Sequence, residues 1–314
     1  MEKSEFDLIH QYFMRGIDRQ DVVLGVGDDA AILKVPDGKQ LVMSVDTLIE
    51  GVHFFPVTDP ELIGYKALAV NLSDLAAMGA EPAWFTLALT LPQVDEDWLL
   101  KFSQGLYALA DSYQVALVGG DTTRGPLSIT IQISGFCDTA LRRNGARTGQ
   151  LIMVSGTFGN AAAAVAGIKA GKIVADELLQ YLHKPQPRIG IGALLAGRAT
   201  ACIDISDGLL ADLGHLLEAS QCGARIQRDA IPQSAVFRAQ SYPDPWIYIL
   251  NGGDDYELCF TLDPDLEKEL INEAAAVGVI LTTIGVVREG QGIDILTADG
   301  HSYQLEGTGY DHFG

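Results

Sequence analysis

The sequence predicts an α/β (α+β) fold in two domains. Three observations carry that expectation. The chain has 314 residues, about twice a common single-domain length. Strand-like runs alternate with helix-like runs along it. A polar, basic stretch with turn signals, Leu141-Arg-Arg-Asn-Gly-Ala-Arg-Thr-Gly149, interrupts the alternation near the middle. The boundary is placed there, giving domains over 1–140 and 141–314.

Residues 40–45 form a short apolar run that reads as a strand. Residues 60–78 carry helical periodicity with many alanines, and 84–91 alternate and are rich in strand formers. Residues 95–113 read as a helix whose acidic first turn suits the helix dipole. Residues 115–118 and 127–136 read as strands. The second half opens with a strand over 151–154 and a Gly-bounded, Ala-rich helix over 160–170. Pro185 and Pro187 break the chain before a helix over 189–199. A strand (201–205), a helix (209–219), a strand (256–262), a helix from 265 and a strand near 279–287 complete the pattern. The halves share a faint echo. Ser73-Asp74 and Ser206-Asp207 each read as the start of a small-residue helix, and Gly-Gly-Asp follows each at the same offset. A duplication would place equivalent acidic loops on both sides of one cleft.

Composition narrows the function classes. At 48% hydrophobic residues the chain can bury substantial cores, and its 34 glycines suggest many tight turns. Its 21 Lys+Arg against 41 Asp+Glu give −20, a mean field that repels nucleic acid and anionic membrane. Cys137, Cys202, Cys222 and Cys259 are far apart with no C-x-x-C, and read as buried reduced thiols rather than zinc ligands or disulfides. The charged start, Met1-Glu-Lys-Ser-Glu-Phe, lacks an apolar signal region. No apolar run approaches the ~20 residues that span a bilayer. The expectation is a soluble, cytoplasmic protein with neither nucleic acid nor membrane as partner.

Six short acidic motifs carry the chemistry: Gly27-Asp28-Asp29, Ser44-Val45-Asp46, Ser73-Asp74, Gly119-Gly120-Asp121, Asp204-Ile205-Ser206-Asp207 and Gly252-Gly253-Asp254-Asp255. Small neighbours let backbone approach a ligand, and clustered carboxylates suit a hard cation. Many aspartates without a His/Cys cluster point to Mg²⁺ rather than Zn²⁺, and Mg²⁺ commonly comes with phosphate. The usual nucleotide signatures are missing. Gly167-Ile-Lys-Ala-Gly-Lys172 fails the P-loop spacing, and no dinucleotide fingerprint, kinase HRD or DFG, Gly-x-Ser-x-Gly or H-E-x-x-H occurs. That leaves phosphate held by several Mg²⁺ ions, which cancel repulsion between an anionic donor and acceptor. Octahedral geometry asks for aspartates from separate loops, and Asp29, Asp46, Asp74, Asp121, Asp204 and Asp207 fit. Singly, each reads equally well as a cap or turn residue, and Ser73-Asp74 and Ser206-Asp207 are natural helix starts. Six together make capping alone a poor account. A helix start at Ser206-Asp207 would also draw phosphate.

Taken together, Gly-Asp-Asp-Ala-Ala (27–31), Asp46-Thr-Leu-Ile-Glu-Gly-Val-His-Phe54, Asn71-Leu-Ser-Asp-Leu-Ala-Ala-Met-Gly79, Gly119-Gly-Asp-Thr-Thr-Arg-Gly-Pro126, Asp204-Ile-Ser-Asp-Gly-Leu209 and Gly252-Gly-Asp-Asp-Tyr-Glu-Leu258 closely resemble the thiamine-monophosphate kinase family. The resemblance runs from about residue 4 to the C-terminal Asp-His-Phe. The wider superfamily includes aminoimidazole-ribonucleotide synthase, selenophosphate synthase and a hydrogenase-maturation protein. The resemblance implies direct in-line transfer from ATP to thiamine phosphate, giving ADP and thiamine diphosphate, with several Mg²⁺ ions. It implies an N-terminal α/β domain whose mixed sheet pairs across a homodimer, binding ATP and Mg²⁺, and a C-terminal α/β domain completing the site.

Carried over by position, the resemblance makes Asp29, Ser44, Asp46, Asp74, Asp121, Asp204 and Asp207 metal-site residues. Gly120, Asp121, Arg143 and Ser206 fall at the nucleotide, and His53, Asp254 and Tyr310 at the acceptor. An Arg143 fork in a mobile basic loop suits a triphosphate, and Tyr310 offers a face to a cationic thiazolium. Without the resemblance, Arg143 reads as a solvated charge, His53 as a core or surface histidine, and Tyr310 as a packed tail aromatic. Asp254 stands where the family shows Glu, one methylene shorter. The acceptor's second pKa is about 6, so no general base, and no catalytic side chain in that sense, is expected. Two alternatives stay open: another ATP-using enzyme of the superfamily, and a non-catalytic Mg-nucleotide-binding regulator. No Cys precedes Cys137 and the sequence closes on Asp-His-Phe-Gly, where selenophosphate synthase and the hydrogenase-maturation protein are expected to carry reactive cysteines. No aspartate of the set has decayed.

Overall fold

The computed structural model describes residues 4–305. The chain divides into two compact units. One runs to Leu75 and resumes over Ala80–Asp138; the other takes Ala76–Gly79 and continues from Thr139.

In the first unit, α1 (Glu5–Leu8) opens with a capping box between Ser4 and Asp7. The short strands β1 (Val22–Leu24) and β2 (Ile32–Leu33) pair antiparallel. Then follow β3 (Gln40–Ile49), α2 (Pro60–Ala77), β4 (Glu81–Leu91), α3 (Glu96–Ser112), β5 (Ala116–Arg124) and β6 (Ser128–Cys137). The sheet order is β3-β6-β4-β5. Its pairs are antiparallel except β4 with β5, which α3 bridges as a parallel pair requires.

The helices of this unit form for different reasons. Asp95 caps α3 by accepting the Trp98 N–H at 3.0 Å. Leu99, Phe102, Leu106 and Leu109 then form one buried stripe. In contrast, α2 is apolar almost all round: Leu68, Ala69, Leu72, Leu75 and Ala76 are each 0% exposed. The two helix backbones touch through glycines. A Cβ on Gly105 would lie 1.8 Å from the Glu61 carbonyl oxygen, and one on Gly64 would lie 2.1 Å from that of Phe102. Along β3 the strand period separates two faces. Val42 and Leu48 are buried, Ser44 and Asp46 share their face, and Leu41, Met43, Val45 and Ile49 are exposed on the other.

The second unit contains β7 (Leu151–Ser155), α4 (Asn160–Lys169), α5 (Asp176–His183), α6 (Ile189–Leu195), β8 (Ala201–Asp204), α7 (Leu209–Ser220) and β9 (Gly223–Gln227). It continues with α8 (Ala235–Arg238), α9 (Trp246–Asn251), β10 (Leu258–Leu262), α10 (Glu267–Ala276), β11 (Leu281–Arg288), β12 (Ile293–Leu296) and β13 (Ser302–Tyr303). Seven strands are ordered β13-β12-β9-β11-β7-β10-β8. All pairs are antiparallel except β12 with β9. Both faces of β8 and β10 are buried, which is why they read as continuous apolar runs. Met153, Cys202, Phe260, Leu262 and Leu270 lie in the core. All four cysteines are buried and free.

Several sequence expectations shift. The helix expected to reach 199 ends at Leu195, ahead of Gly197 at φ +76°. The strand expected from 256 starts at Leu258, because Tyr256 sits at φ +49°, outside the extended range. Ser73 and Asp74 do not open a helix; they lie in the last turns of α2, whereas Ser206 and Asp207 precede α7. The echo between the halves therefore pairs unlike structural positions.

Candidate functional site

In the first unit the predicted residues stand mostly on regular elements rather than on loops. Ser44 and Asp46 lie on β3, Asp74 on α2, and Gly120 and Asp121 on β5. Strand β3 and helix α2 are joined at this point by two polar contacts. Ser44 Oγ donates to Asp74 Oδ2 at 2.5 Å. The Asp46 backbone N–H donates to Asn71 Oδ1 at 3.2 Å, while Asn71 Nδ2 donates to the Ala67 carbonyl at 2.9 Å. Asn71 is 1% exposed and sits one turn from Asp74, on the same side of α2. It thus fixes the backbone that presents Asp46.

Gly120 has a local reason to be glycine. It pairs with Leu87 across β4 and β5, and a Cβ there would lie 1.9 Å from the Leu87 carbonyl oxygen. Asp121 follows it, exposed. Asp29 is exposed on the turn between β1 and β2, its N–H donating to Asp28 Oδ1 at 2.8 Å. His53 sits in a tight turn after β3. Its Nδ1 accepts the Ile49 N–H at 3.0 Å, which puts the proton of a neutral ring on Nε2. Lys66 of α2, 3% exposed, reaches the His53 carbonyl at 3.4 Å.

In the second unit two predicted motifs come together. Beyond β8 the pairing with the β10 side continues. Ile205 N–H donates to Glu257 O, Tyr256 N–H to Ile205 O, and Asp254 N–H to Ser206 O, at 2.8, 2.8 and 2.9 Å. Gly253 is pressed onto this loop, where a Cβ would lie 2.3 Å from the Ser206 carbonyl oxygen. Asp204 is 6% exposed at the end of β8, and Ser206 and Asp207 are half-buried ahead of α7.

The loop's backbone donors meet a residue the motif reading passed over. Asp212 Oδ2 accepts the N–H groups of Ser206, Asp207 and Gly208 at 3.0, 2.9 and 3.2 Å. Burial pushes its carboxyl up to about 7. The nearby charges of Asp207 and Asp204 add to that, and the Asp207 and Gly208 N–H bonds oppose it. These three donors belong to the turn ahead of α7, whose first-turn N–H groups begin at Leu209.

Further contacts brace these loops. Ser220, at the far end of α7, donates its hydroxyl to the Arg143 carbonyl at 2.7 Å and accepts the Ala146 N–H at 3.1 Å. Cys202 N–H donates to the Arg142 carbonyl at 2.9 Å. The basic stretch is therefore tied down on both sides of Arg143, whose side chain is exposed. Behind the Gly252–Asp255 segment, Glu257 is gripped by the Arg188 fork and by Ser155. Burial holds the Asp255 carboxyl well above the usual range despite the Gly159 N–H, and Glu257, Asp254 and Asp212 add to the effect.

Comparison with known proteins gives this site its context. The profile described as AIR synthase related protein, N-terminal domain, matches residues 27–137, and its C-terminal counterpart matches 147–297. The chain is 48% identical to thiamine-monophosphate kinase of Salmonella typhimurium over 324 aligned positions, covering 100% of this chain and 99% of that protein. The chain belongs to the thiamine-monophosphate kinase family. Among solved structures, the family member from Stenotrophomonas maltophilia superposes with a TM-score of 0.86 at 45% identity, covering 91% of this chain and 93% of that one. AaThiL, solved with AMPPCP and TMP, superposes with a TM-score of 0.80 at 32% identity, covering 92% of each.

Asp254 has φ +67°, a left-handed conformation that Asp tolerates better than most residues. Its Oδ1 accepts the Tyr256 hydroxyl at 3.0 Å. Its side chain is thus held against its own loop. Tyr310 lies outside the described residues.

The donor set suits the cation that the family reading implies. Among the described residues, no three of His, Cys, Asp or Glu gather into a ready-made metal cage. Mg²⁺ does not need one, since it is commonly held by one or two carboxylates, water and substrate phosphate oxygens. Every candidate ligand is an oxygen donor, and Ser44 with Asp74 brings two such donors together.

Proposed function

We propose that this protein is a Mg²⁺-dependent thiamine-phosphate kinase. It transfers the terminal phosphoryl group of ATP directly, in line, to thiamine phosphate, yielding ADP and thiamine diphosphate. The observation that carries the reading is family membership at 48% identity over the whole chain, together with an intact set of acidic motifs. AaThiL, with its bound AMPPCP and TMP, supports ATP and thiamine phosphate as the co-substrate pair.

On this reading the residues divide the work. Asp29, Ser44, Asp46, Asp74, Asp121, Asp204 and Asp207 hold several Mg²⁺ ions, which, when bound, neutralise charge between donor and acceptor phosphates. Gly120, Asp121, Arg143 and Ser206 bind the nucleotide, Arg143 as a guanidinium fork on phosphate oxygens. His53, Asp254 and Tyr310 bind thiamine phosphate, with His53 able to donate from Nε2. The acceptor oxygen is largely ionised near neutral pH, so positioning and charge neutralisation replace general-base catalysis.

On the division at about residue 140, the N-terminal domain binds ATP and Mg²⁺ and makes the dimer contacts, and the C-terminal domain supplies Arg143, Asp204, Ser206 and Asp207. The apolar exposed face of β3, with Met43 at 60% and Val45 at 59% exposure, supports a homodimer pairing through this sheet. Four free buried cysteines and no helix long and apolar enough to cross a membrane among the described residues support a cytoplasmic setting.

The test uses Asp74→Asn and Asp207→Asn. Each is expected to cut turnover by a factor of about 100 or more while circular dichroism stays unchanged. Near-normal rates in both at saturating Mg²⁺ would remove the site assignment.

A further inference from the structure

We propose that Asp212 is a positioning residue for phosphoryl transfer. Its buried carboxylate holds the Ser206-Asp207-Gly208 turn in the shape that presents Asp204 and Asp207. The proposal rests on the kinase reading above.

The geometry separates this role from ordinary helix capping. A capping side chain stands at the helix start and reaches forward to the first-turn N–H groups. Here the N-cap is Gly208, at φ +123°, with no side-chain cap bond. Asp212 is the fourth residue of α7 and reaches backward. Its three donors are the N-cap itself and the two residues before it, so its oxygen shapes the loop rather than the helix. Asp212 is 3% exposed, and an acid is rarely buried without such partners.

The turn is held from the other side as well. The Ser206 N–H goes to Asp212 and its carbonyl accepts from Asp254 N–H. Both backbone polar groups of Ser206, a predicted nucleotide residue, are thus bonded, one to Asp212 and one to the predicted acceptor motif. Asp212 binds the N–H groups of the turn that precedes the helix, not those of its first turn, and so sets the backbone from which Asp204, Ser206 and Asp207 are presented. Losing Asp212 would free the turn and expose donors that compete for phosphate in the wrong place.

The test compares wild type, Asp212→Ala and Asp212→Asn. Amide hydrogen exchange, without substrate, is followed in a peptide spanning 203–209 and in peptides from β7 and β10. Turnover is measured with ATP, Mg²⁺ and thiamine phosphate. In Asp212→Ala the 203–209 peptide should exchange at least about tenfold faster, with β7 and β10 protection kept. Its kcat should fall at least about tenfold while KM for thiamine phosphate stays within about threefold. Asp212→Asn, which keeps an acceptor oxygen, should recover most of both.

Unchanged local exchange in Asp212→Ala, or near-wild-type kcat, would overturn the proposal. So would equal loss of protection across β7 and β10, which marks a merely structural residue. A wild-type protein that forms no thiamine diphosphate would sink the kinase reading itself. The exchange arm is decided without substrate, so the two failures are told apart.

Discussion

Removing the guanidinium of Arg188 should destabilise the second unit far more than a surface charge change would. Arg188 Nε donates to Glu257 Oε2 at 2.6 Å, and its terminal nitrogen pairs with Oε1. The Arg188 side chain is 20% exposed and that of Glu257 only 5%. Ser155 Oγ also donates to Glu257 and accepts the Leu258 N–H at 2.9 Å. Arg188→Met leaves a buried carboxylate with only the serine hydroxyl among these partners. Breaking such a pair costs about 3–5 kcal/mol, whereas replacing both members with neutral groups of similar volume is often close to neutral. With a urea slope of roughly 2–3 kcal/mol/M, the midpoint should drop by roughly 1–2 M. Trp246 is the second unit's tryptophan, since Trp84 and Trp98 belong to the first. Its fluorescence, in a background with those two changed to Phe, reports this transition alone. Arg188→Met/Glu257→Gln should recover to within about 1–2 kcal/mol of that background. A single variant losing under about 1 kcal/mol, or a double variant as weak as the single, would refute the reasoning.

Asn71→Ala removes the side-chain acceptor of the part-buried Asp46 N–H. A stability loss of about 1–3 kcal/mol in the first unit and lower turnover are expected, read by denaturation and by product formation. Normal turnover would separate Asn71 from the site. Met43→Glu places a charge on the exposed apolar face of β3. If that face is the homodimer contact, sedimentation velocity should show a dimeric wild type and a monomeric variant. A variant that stays dimeric would move the contact elsewhere.

Much of the fold was legible wherever local chemistry sets local structure. The Asp95 cap and the stripe of Leu99, Phe102 and Leu106 spell α3 unaided. The alternation in β3 is visible in Leu41 through Ile49, although the strand runs further than its apolar start suggests. In α2, burial on several sides blurs the periodicity read over 60–78, and its many alanines help mark it as helix. Gly119-Gly120-Asp121 spells a turn, yet the pairing of Gly120 with Leu87 makes it strand, because the missing Cβ lets the two backbones close up. The supporting residues of the site were not legible. Arg188 and Glu257 are 69 positions apart, and nothing local announces their meeting. Asp212, in the first turn of α7, belongs to no motif, and its three backward bonds appear only in the structure. The acidic motifs stood out because six of them recur along the chain, more than capping and turns alone explain.

The most direct test of the central claim is a chromatographic assay for thiamine diphosphate. Purified protein is incubated with ATP, Mg²⁺ and thiamine phosphate, with free thiamine in place of thiamine phosphate and with metal removed as parallel samples. The account predicts product only when thiamine phosphate and Mg²⁺ are both present, with ADP formed in equal amount. ATP bound in the presence of Mg²⁺ with no thiamine diphosphate formed would contradict it and point to a non-catalytic nucleotide-binding regulator.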